Sequence, residues 1–281
     1  MGTETPATGA KSRYLLGDSP AEVQQLVEQA RVYAPEAEEL LGRIGLQVGA
    51  SAIDIGCGVP GILHLLADRV GRAGRIVGLD REPRMVETGR QLARKLDLDV
   101  ELIEADATAT GLHDDSFNLV HARTPLLNVA NPEEILTEMI RIAKPGGVIA
   151  LQKPDASAWG CDPPHPAFEI LRAEILSAYR RTGKDFSIGR RIARMLTDAR
   201  LADVQVRATA KVTAFGDYYQ TFQLTIATLV RSIILDAGRL TADEFDSYAL
   251  TLRNHLEDPR TRTCQPLMWQ AWGRKPTAAL P

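Results

Sequence analysis

Short apolar runs alternate with longer amphipathic stretches over residues 51–153. Apolar runs are typical of buried strands, whereas apolar residues three or four positions apart are typical of helices that cover a sheet. The pattern predicts strands at 52–55, 75–80, 100–104, 117–121 and 148–153, with helices after residue 61 and over 82–96 and 132–143. Strands that alternate with helices favour a parallel sheet covered on both faces.

The residues before position 48 carry helical patterns. Ser19-Pro20-Ala21-Glu22 has the form of a capping box with a proline at the first helical position, and a second helix is predicted over 35–44. We expect residues 1–47, with Tyr14 among them, to form an N-terminal helical lid. A helix pair that only packs on the surface is the alternative.

The pattern changes after residue 153, where a proline-rich loop over 154–166 begins. Helices are predicted at 167–182, 188–199, 217–237 and from the capping box at Thr241 to about 256, and strands at 204–212 and 264–274. We therefore divide the chain into the lid at 1–47, a core at 48–153, substrate-side helices with one sheet strand at 154–263, and a last strand with tail at 264–281.

Composition narrows the classes of function. The chain has 281 residues, and its 33 Lys and Arg against 36 Asp and Glu give a net charge of −3. Without a basic run, nucleic acid is not expected as a partner. The sequence contains no apolar run long enough to span a membrane, and its first residues lack the regions of a signal peptide. Three cysteines without framework spacing favour a cytoplasmic location.

A glycine-rich segment, Gly56-Cys57-Gly58-Val59-Pro60-Gly61, follows the first strand of the core. Glycines there let the backbone approach a ligand, and the pattern alone fits NAD, FAD or S-adenosylmethionine. Asp54 would face a ligand with positive charge and would not help to bind a pyrophosphate. Asp80, at the end of the second strand, is placed to accept both ribose hydroxyls. Asp106 is placed to accept from an adenine amino group, with the N–H of Ala107 beside it.

With these residues in place, the sequence resembles the class I S-adenosylmethionine-dependent methyltransferases. The matching segments are Ile53-Asp54-Ile55-Gly56-Cys57-Gly58, Asp80, Asp106, Phe117-Asn118-Leu119-Val120 and Lys144-Pro145-Gly146-Gly147. The resemblance implies an α/β, Rossmann-like fold: a seven-stranded sheet, mostly parallel with an antiparallel last strand, helices on both faces and an inserted helical cap. Val59-Pro60 departs from the family pattern, in which a small residue and another glycine are usual.

The resemblance also implies a cofactor, S-adenosylmethionine, and the residues that bind it. Asp54, Gly56 and Gly58 would hold the methionine end. Asp80 would hold the ribose, and Asp106 with Ala107 the adenine. The segment 121–123 would close the cleft beneath the sulfonium. The predicted cofactor-binding residues are Tyr14, Asp54, Gly56, Gly58, Asp80, Arg81, Asp106, Ala107, His121, Ala122 and Arg123.

The acceptor side carries weaker signals. Transfer from a sulfonium is an in-line displacement of an activated group, so alignment can supply most of the catalysis. His121 is the candidate catalytic base, with contact to the cofactor as the alternative. All but three aromatic residues follow position 158 and could line an acceptor pocket, although ordinary core residues would look the same. The predicted substrate-binding residues are Asn128, Trp159, His165, Tyr218, Tyr219 and Phe222.

The sequence thus predicts a cytoplasmic methyltransferase that methylates an O or N atom of a small, hydrophobic or aromatic natural product. A protein that uses S-adenosylmethionine for other chemistry is the alternative, and an NAD-dependent oxidoreductase is a weaker one. No metal is expected, because Cys161 and His165 lack a second pair of ligands. The apolar helical face between Tyr218 and Ile233 would cover the pocket or pair with a second copy in a homodimer.

Overall fold

The structure is a computed structural model that describes residues 20–59, 61–123 and 131–277. Its helices are α1 (Pro20–Val32), α2 (Ala34–Ile44), α3 (Leu63–Val70), α4 (Pro83–Lys95), α5 (Pro132–Ile142), α6 (Pro166–Arg181), α7 (Ile192–Asp198), α8 (Phe222–Leu229), α9 (Arg231–Asp236) and α10 (Ala242–Leu256). Its strands are β1 (Ser51–Ile55), β2 (Arg75–Asp80), β3 (Glu101–Glu104), β4 (Phe117–Ala122), β5 (Ala143–Asp155), β6 (Gly160–Asp162), β7 (Ala202–Thr209), β8 (Val212–Thr213), β9 (Arg262–Cys264) and β10 (Leu267–Arg274).

The main sheet has seven strands in the order β3-β2-β1-β4-β5-β10-β7. Strand β10 runs antiparallel to both β5 and β7, and the other six strands are parallel to one another. The expected fold class is therefore confirmed. The central strands are buried along most of their length because helices cover both faces.

Two apolar cores hold the helices on the sheet. One face packs on α5 and α7 through residues such as Ile135, Met139 and Ile192. The opposite face packs on α2 and α3 through Leu41 and Leu66. Polar side chains that interrupt these buried faces therefore need partners inside the protein.

The chain after β5 forms the expected cap from α6, α8, α9 and α10. Its core includes Trp159, Phe168 and Leu252, all at most 2% exposed. The capping box at the start of α10 is confirmed, since the Glu244 N–H donates to the Thr241 hydroxyl at 3.2 Å and the Thr241 N–H donates to the Glu244 carboxylate at 2.8 Å.

A second sheet in the cap was not predicted from the sequence. Its three strands lie in the order β6-β9-β8. Strand β6 follows β5, β8 follows β7, and β9 precedes β10, with connections of four, two and two residues. The small sheet therefore repeats the strand order of β5, β10 and β7 at one end of the main sheet.

Several predicted boundaries are wrong. The helix predicted over 217–237 is a 3-10 turn at Tyr218–Thr221 followed by α8 and α9. The single strand predicted over 264–274 is the pair β9 and β10. The fifth strand begins at Ala143, before the predicted 148, and continues to Asp155. Tyr14 and Ser19 lie outside the described residues.

The described part of the chain contains no helix with the length and apolar character that crossing a membrane requires.

Candidate functional site

The glycine loop connects β1 to α3. Gly56, Gly58 and Gly61 all have positive φ angles, of 65°, 57° and 58°. A Cβ at position 61 would lie 2.4 Å from Oδ2 of Asp54 and 2.6 Å from the carbonyl oxygen of Cys57, so no side chain fits there. The third glycine is therefore required by its neighbours within the protein.

Asp80 ends β2 and ties this loop to the start of α4. Its Oδ2 accepts the N–H of Gly58 at 2.9 Å, and its Oδ1 accepts the N–H of Glu82 at 3.1 Å. Burial raises the pKa of the Asp80 carboxyl, while these two backbone hydrogen bonds act in the opposite direction. A carboxylate offers about four lone pairs, so the group can also accept from a ligand.

Asp106 lies in the loop after β3. Its Oδ1 accepts the Thr108 N–H at 2.8 Å and the Thr108 hydroxyl at 2.7 Å. These hydrogen bonds lower the pKa of Asp106, so the group stays ionised at neutral pH. The carboxylate is held by its own loop next to the backbone of Ala107.

Asp54 on β1 is only 2% exposed and contacts a histidine. Its Oδ1 lies 2.7 Å from Nδ1 of His121, and its Oδ2 accepts the N–H of Ile62 at 3.3 Å. The other ring nitrogen of His121, Nε2, lies 3.0 Å from Oε1 of Gln152. Three neighbouring strands thus contribute one polar side chain each to a buried row.

Arg123 follows β4 and carries a desolvated charge. Burial lowers the pKa of its guanidinium, and the negative charge of Asp54 opposes that effect. Its Nη1 is buried and has no hydrogen-bond partner among the residues that the structure describes. A buried donor of this kind favours an anionic or carbonyl group of a ligand.

These elements surround a cleft with about 980 Å³ of open space at the carboxyl ends of the strands. Ligands of open α/β sheets bind at this position. The lining residues are Leu26, Gln29, Asp54, Gly56, Cys57, Gly58, Val59, Gly61, Leu79, Asp80, Arg81, Glu82, Met85, Ala105, Asp106, Ala107, Arg123 and Ile135.

Most of the predicted cofactor residues meet in this cleft. Those among the lining residues are Asp54, Gly56, Gly58, Asp80, Arg81, Asp106, Ala107 and Arg123. Tyr14 and Asn128 fall outside the described residues. Sequence reasoning missed Leu26 and Gln29 of α1, Met85 of α4 and Ile135 of α5. These residues lie within helices, and the helical pattern gives no sign of which side chains face a ligand.

Of the segment 121–123, which is expected to close the cleft, Arg123 is among the described lining residues and His121 is not. The ring is 0% exposed, as is Ala122, and neither residue is among the described residues that line the cleft. The central strand β4 is covered on both faces, so a polar residue near its end is buried behind Asp54. In this arrangement both ring nitrogens of His121 lie within hydrogen-bond distance of other protein groups.

Three of the predicted substrate residues lie among other aromatic rings. Trp159 stacks on Phe186 with 5.7 Å between ring centroids and contacts Phe222 at 5.8 Å. Tyr219 stacks on Phe222 at 4.7 Å and meets Tyr33 edge to face at 5.7 Å. Because these rings fill the interior of the cap and its boundary with α1 and α2, none of the three lines the described cleft.

The two other predicted substrate residues are also not among the described lining residues. His165 accepts the N–H of Ala167 at the start of α6 and stacks on His255 at 4.6 Å. Tyr218 is 48% exposed. No group of three metal ligands occurs within residues 20–59, 61–123 and 131–277.

The apolar face that was considered for a homodimer is largely covered within the chain. Ile226, Ala227 and Val230 are at most 4% exposed and pack against α6 and α10. This packing within the cap leaves little of the apolar stretch exposed.

Comparison with known proteins agrees with the fold. A family model described as a methyltransferase domain matches residues 46–179. A 37.1 kDa protein from a Streptomyces fradiae transposon is 32% identical over 185 residues, which cover 65% of this chain and 53% of that protein. The chain thus spans about half the length of this relative. A Geobacillus demethylmenaquinone methyltransferase is 29% identical over 184 residues, which cover 61% of this chain and 79% of the relative.

Among solved structures, a Haemonchus contortus phosphoethanolamine N-methyltransferase in complex with phosphomonomethylethanolamine and S-adenosylhomocysteine superposes with a TM-score of 0.59. It is 14% identical, and the match covers 95% of this chain and 61% of that one. This similarity concerns the fold alone. The family match and the strand order together show that residues 46–179 form a domain of the S-adenosylmethionine-dependent methyltransferase type.

Proposed function

We propose that this protein transfers a methyl group from S-adenosylmethionine to a small, apolar or aromatic acceptor. The observation that carries the proposal is the charge pattern of the cleft. Four acidic residues, Asp54, Asp80, Glu82 and Asp106, line it together with Arg81 and Arg123. The pattern fits a zwitterionic cofactor with a sulfonium, an ammonium and a carboxylate. It would repel the pyrophosphate of NAD.

Each group has a proposed partner. Asp54 faces the cationic methionine end, next to the backbone of Gly56 and Gly58, and Arg123 takes the methionine carboxylate. Asp80 accepts the ribose hydroxyls with lone pairs that its two backbone hydrogen bonds leave open, and Arg81 lies beside it. Asp106 and the N–H of Ala107 bind the adenine. Support comes from the position of all these residues in one cleft.

The bound cofactor supplies a methyl group already activated on a sulfonium. The protein must align an acceptor atom with that group and exclude water. Apolar side chains suited to the second task, Leu26, Met85 and Ile135, line the cleft. Because His121 is buried, we infer that catalysis rests on alignment and desolvation.

The acceptor class rests on the cap and on one relative. The aromatic core of the cap reaches the end of α1 through the contact of Tyr219 with Tyr33, and α1 lines the cleft with Leu26 and Gln29. The relative named demethylmenaquinone methyltransferase supports an apolar, aromatic acceptor. It also makes a ring carbon a second candidate for the methylated atom, beside the O or N that the sequence analysis favours.

Calorimetric titration with S-adenosylmethionine and, separately, with NADH tests the cofactor. We expect binding of the first and none of the second. Transfer of a labelled methyl group to a panel of phenols, aromatic amines and reduced quinones then tests the acceptor class. Tight cofactor binding without any methylated product would favour other S-adenosylmethionine chemistry, and NADH binding would overturn the proposal.

A further inference from the structure

The buried row of Asp54, His121 and Gln152 has a defined geometry. Asp54 lies directly opposite His121 in the pairing of β1 with β4, and His121 lies opposite Ala150 in the pairing of β4 with β5. Gln152 is two positions beyond Ala150, so it points to the same face of the sheet. The exposed fractions of Asp54, His121 and Gln152 are 2%, 0% and 1%.

The row has an inner and an outer end. Asp54 lines the cleft, whereas His121 stands behind it and Gln152 stands one strand further away. Any effect of His121 on a ligand therefore passes through Asp54. The histidine has no other described route to the cleft.

The hydrogen bond to Asp54 does not depend on the charge of the ring. With Oε1 of Gln152 next to Nε2, both ring nitrogens donate and the ring is cationic. With the amide rotated by 180°, the Gln152 NH₂ group donates to Nε2 and the ring is neutral. In both cases Nδ1–H donates to Oδ1 of Asp54, because a carboxylate can only accept.

We propose that His121 is a positioning residue, which fixes the Asp54 carboxylate toward the cationic methionine end of the cofactor. The proposal rests on the proposed function, since it needs S-adenosylmethionine in the cleft. Two donors set the orientation of Asp54, the His121 ring on Oδ1 and the Ile62 N–H on Oδ2. Loss of the ring leaves a buried carboxylate held from one side only, free to turn away from the ligand.

Two amide substitutions at position 121 separate the effect of the hydrogen-bond donor to Asp54 from the effect of losing the ring. The amide nitrogen of asparagine can stand near the place of Nδ1, whereas that of glutamine stands near the place of Nε2. His121→Asn should therefore keep the donor to Asp54, and His121→Gln should lose it. We expect His121→Asn to bind S-adenosylmethionine within about threefold of the unaltered protein and His121→Gln to bind about tenfold or more weakly, the scale of a hydrogen bond to a charged group.

The ligand 5′-methylthioadenosine provides the second comparison, because it lacks both the sulfonium charge and the amino-acid part. All variants should bind it within about threefold of the unaltered protein, since Asp54 has no cationic group to meet. Gln223→Leu is the control for loss of a buried hydrogen bond elsewhere, as its side chain donates to the Phe168 carbonyl in the cap at 2.6 Å. This control should lower the melting temperature without changing affinity for either ligand.

The outcomes are distinguishable. If His121→Asn and His121→Gln weaken S-adenosylmethionine binding equally, or if methylthioadenosine binding falls in parallel, His121 has only a structural role and the inference is overturned. Equal affinity of all variants for S-adenosylmethionine also overturns it. Failure of the unaltered protein to bind S-adenosylmethionine would instead overturn the proposed function, and the inference with it.

Discussion

The Asp54 carboxylate occupies the space that a side chain at position 61 would need. The Cβ of any residue other than glycine would stand 2.4 Å from Oδ2 of Asp54, where Gly61 now allows a φ of 58°. The glycine loop is therefore fitted to a carboxylate of the protein at this position. The loop and Asp54 form one unit, and a change in either should affect the other.

Gly61→Ala should lower both stability and affinity for S-adenosylmethionine, because the new methyl group displaces Asp54. Gly45→Ala is the matched control. Gly45 has a φ of 69°, but nothing lies within 4 Å of its added Cβ. The control should show only the conformational cost of about 1 kcal/mol. Thermal unfolding and calorimetry measure both effects, and equal behaviour of the two variants would contradict the contact.

Asp80→Ala should weaken S-adenosylmethionine binding by about 1.5–3 kcal/mol, the scale of charge-assisted hydrogen bonds. The variant loses the proposed ribose acceptor and the group that holds the Gly58 and Glu82 N–H groups. Asp80→Asn keeps one acceptor oxygen and should therefore lose less affinity for S-adenosylmethionine than Asp80→Ala does. Calorimetry measures both affinities, and an unchanged affinity of the alanine variant would contradict the assignment.

The raised pKa of Asp80 predicts a pH dependence with a definite sign. Because burial raises the pKa in the folded protein above the unfolded value, ionisation of Asp80 removes stability from the unliganded protein as the pH rises through the raised pKa. Ribose hydroxyls donate to the ionised form, so cofactor affinity should fall as the pH falls through that same pKa. Titrations from neutral to acidic pH should show this loss in the unaltered protein and a smaller loss in Asp80→Asn.

Arg123→Met should reduce discrimination between S-adenosylmethionine and its decarboxylated analogue, which keeps the sulfonium and an ammonium. If the Arg123 guanidinium binds the methionine carboxylate, the variant should bind S-adenosylmethionine about tenfold or more weakly. Its affinity for the decarboxylated analogue should change little. Calorimetry with both ligands measures the difference. A variant that keeps full preference for S-adenosylmethionine would show that the guanidinium serves another ligand group.

Phe222→Ala should destabilise the protein by about 3 kcal/mol, because the ring packs between Trp159 and Tyr219. Tyr218→Ala, at a side chain that is 48% exposed, should change stability by less than about 0.5 kcal/mol. Thermal unfolding compares the two. If Tyr218→Ala nevertheless lowers acceptor affinity while cofactor binding is unchanged, the predicted substrate contact of Tyr218 would be supported.

The core of the fold could be predicted because its strands are long enough to show as apolar runs. Its helices are long enough to show the regular spacing of apolar residues that is typical of a helix. The small sheet could not be predicted, since β8 has two residues and β6 and β9 three each. The break at Val230 carries no glycine or proline. It comes from the tertiary contacts of the cap, which local sequence does not reveal.

The cofactor cleft was more predictable than the acceptor side. Asp54, Asp80 and Asp106 stand at strand ends, and parallel strands bring their carboxyl ends to one edge. His121 also stands near a strand end, yet it is buried. Its strand is the central one and is covered on both faces, a property that depends on strand order and that no single segment shows.

The repeated strand order of the two sheets bears on how molecules enter and leave. Strands β5, β7 and β10 are each connected to a strand of the cap by two to four residues, so the chain joins the main sheet to the cap at three places. The three cap strands pair with one another through their backbones. Rotation of the cap relative to the main sheet would have to bend all three connections together. Exchange of cofactor and acceptor is therefore expected to depend on α1, which borders the cleft with Leu26 and Gln29 and belongs to neither sheet.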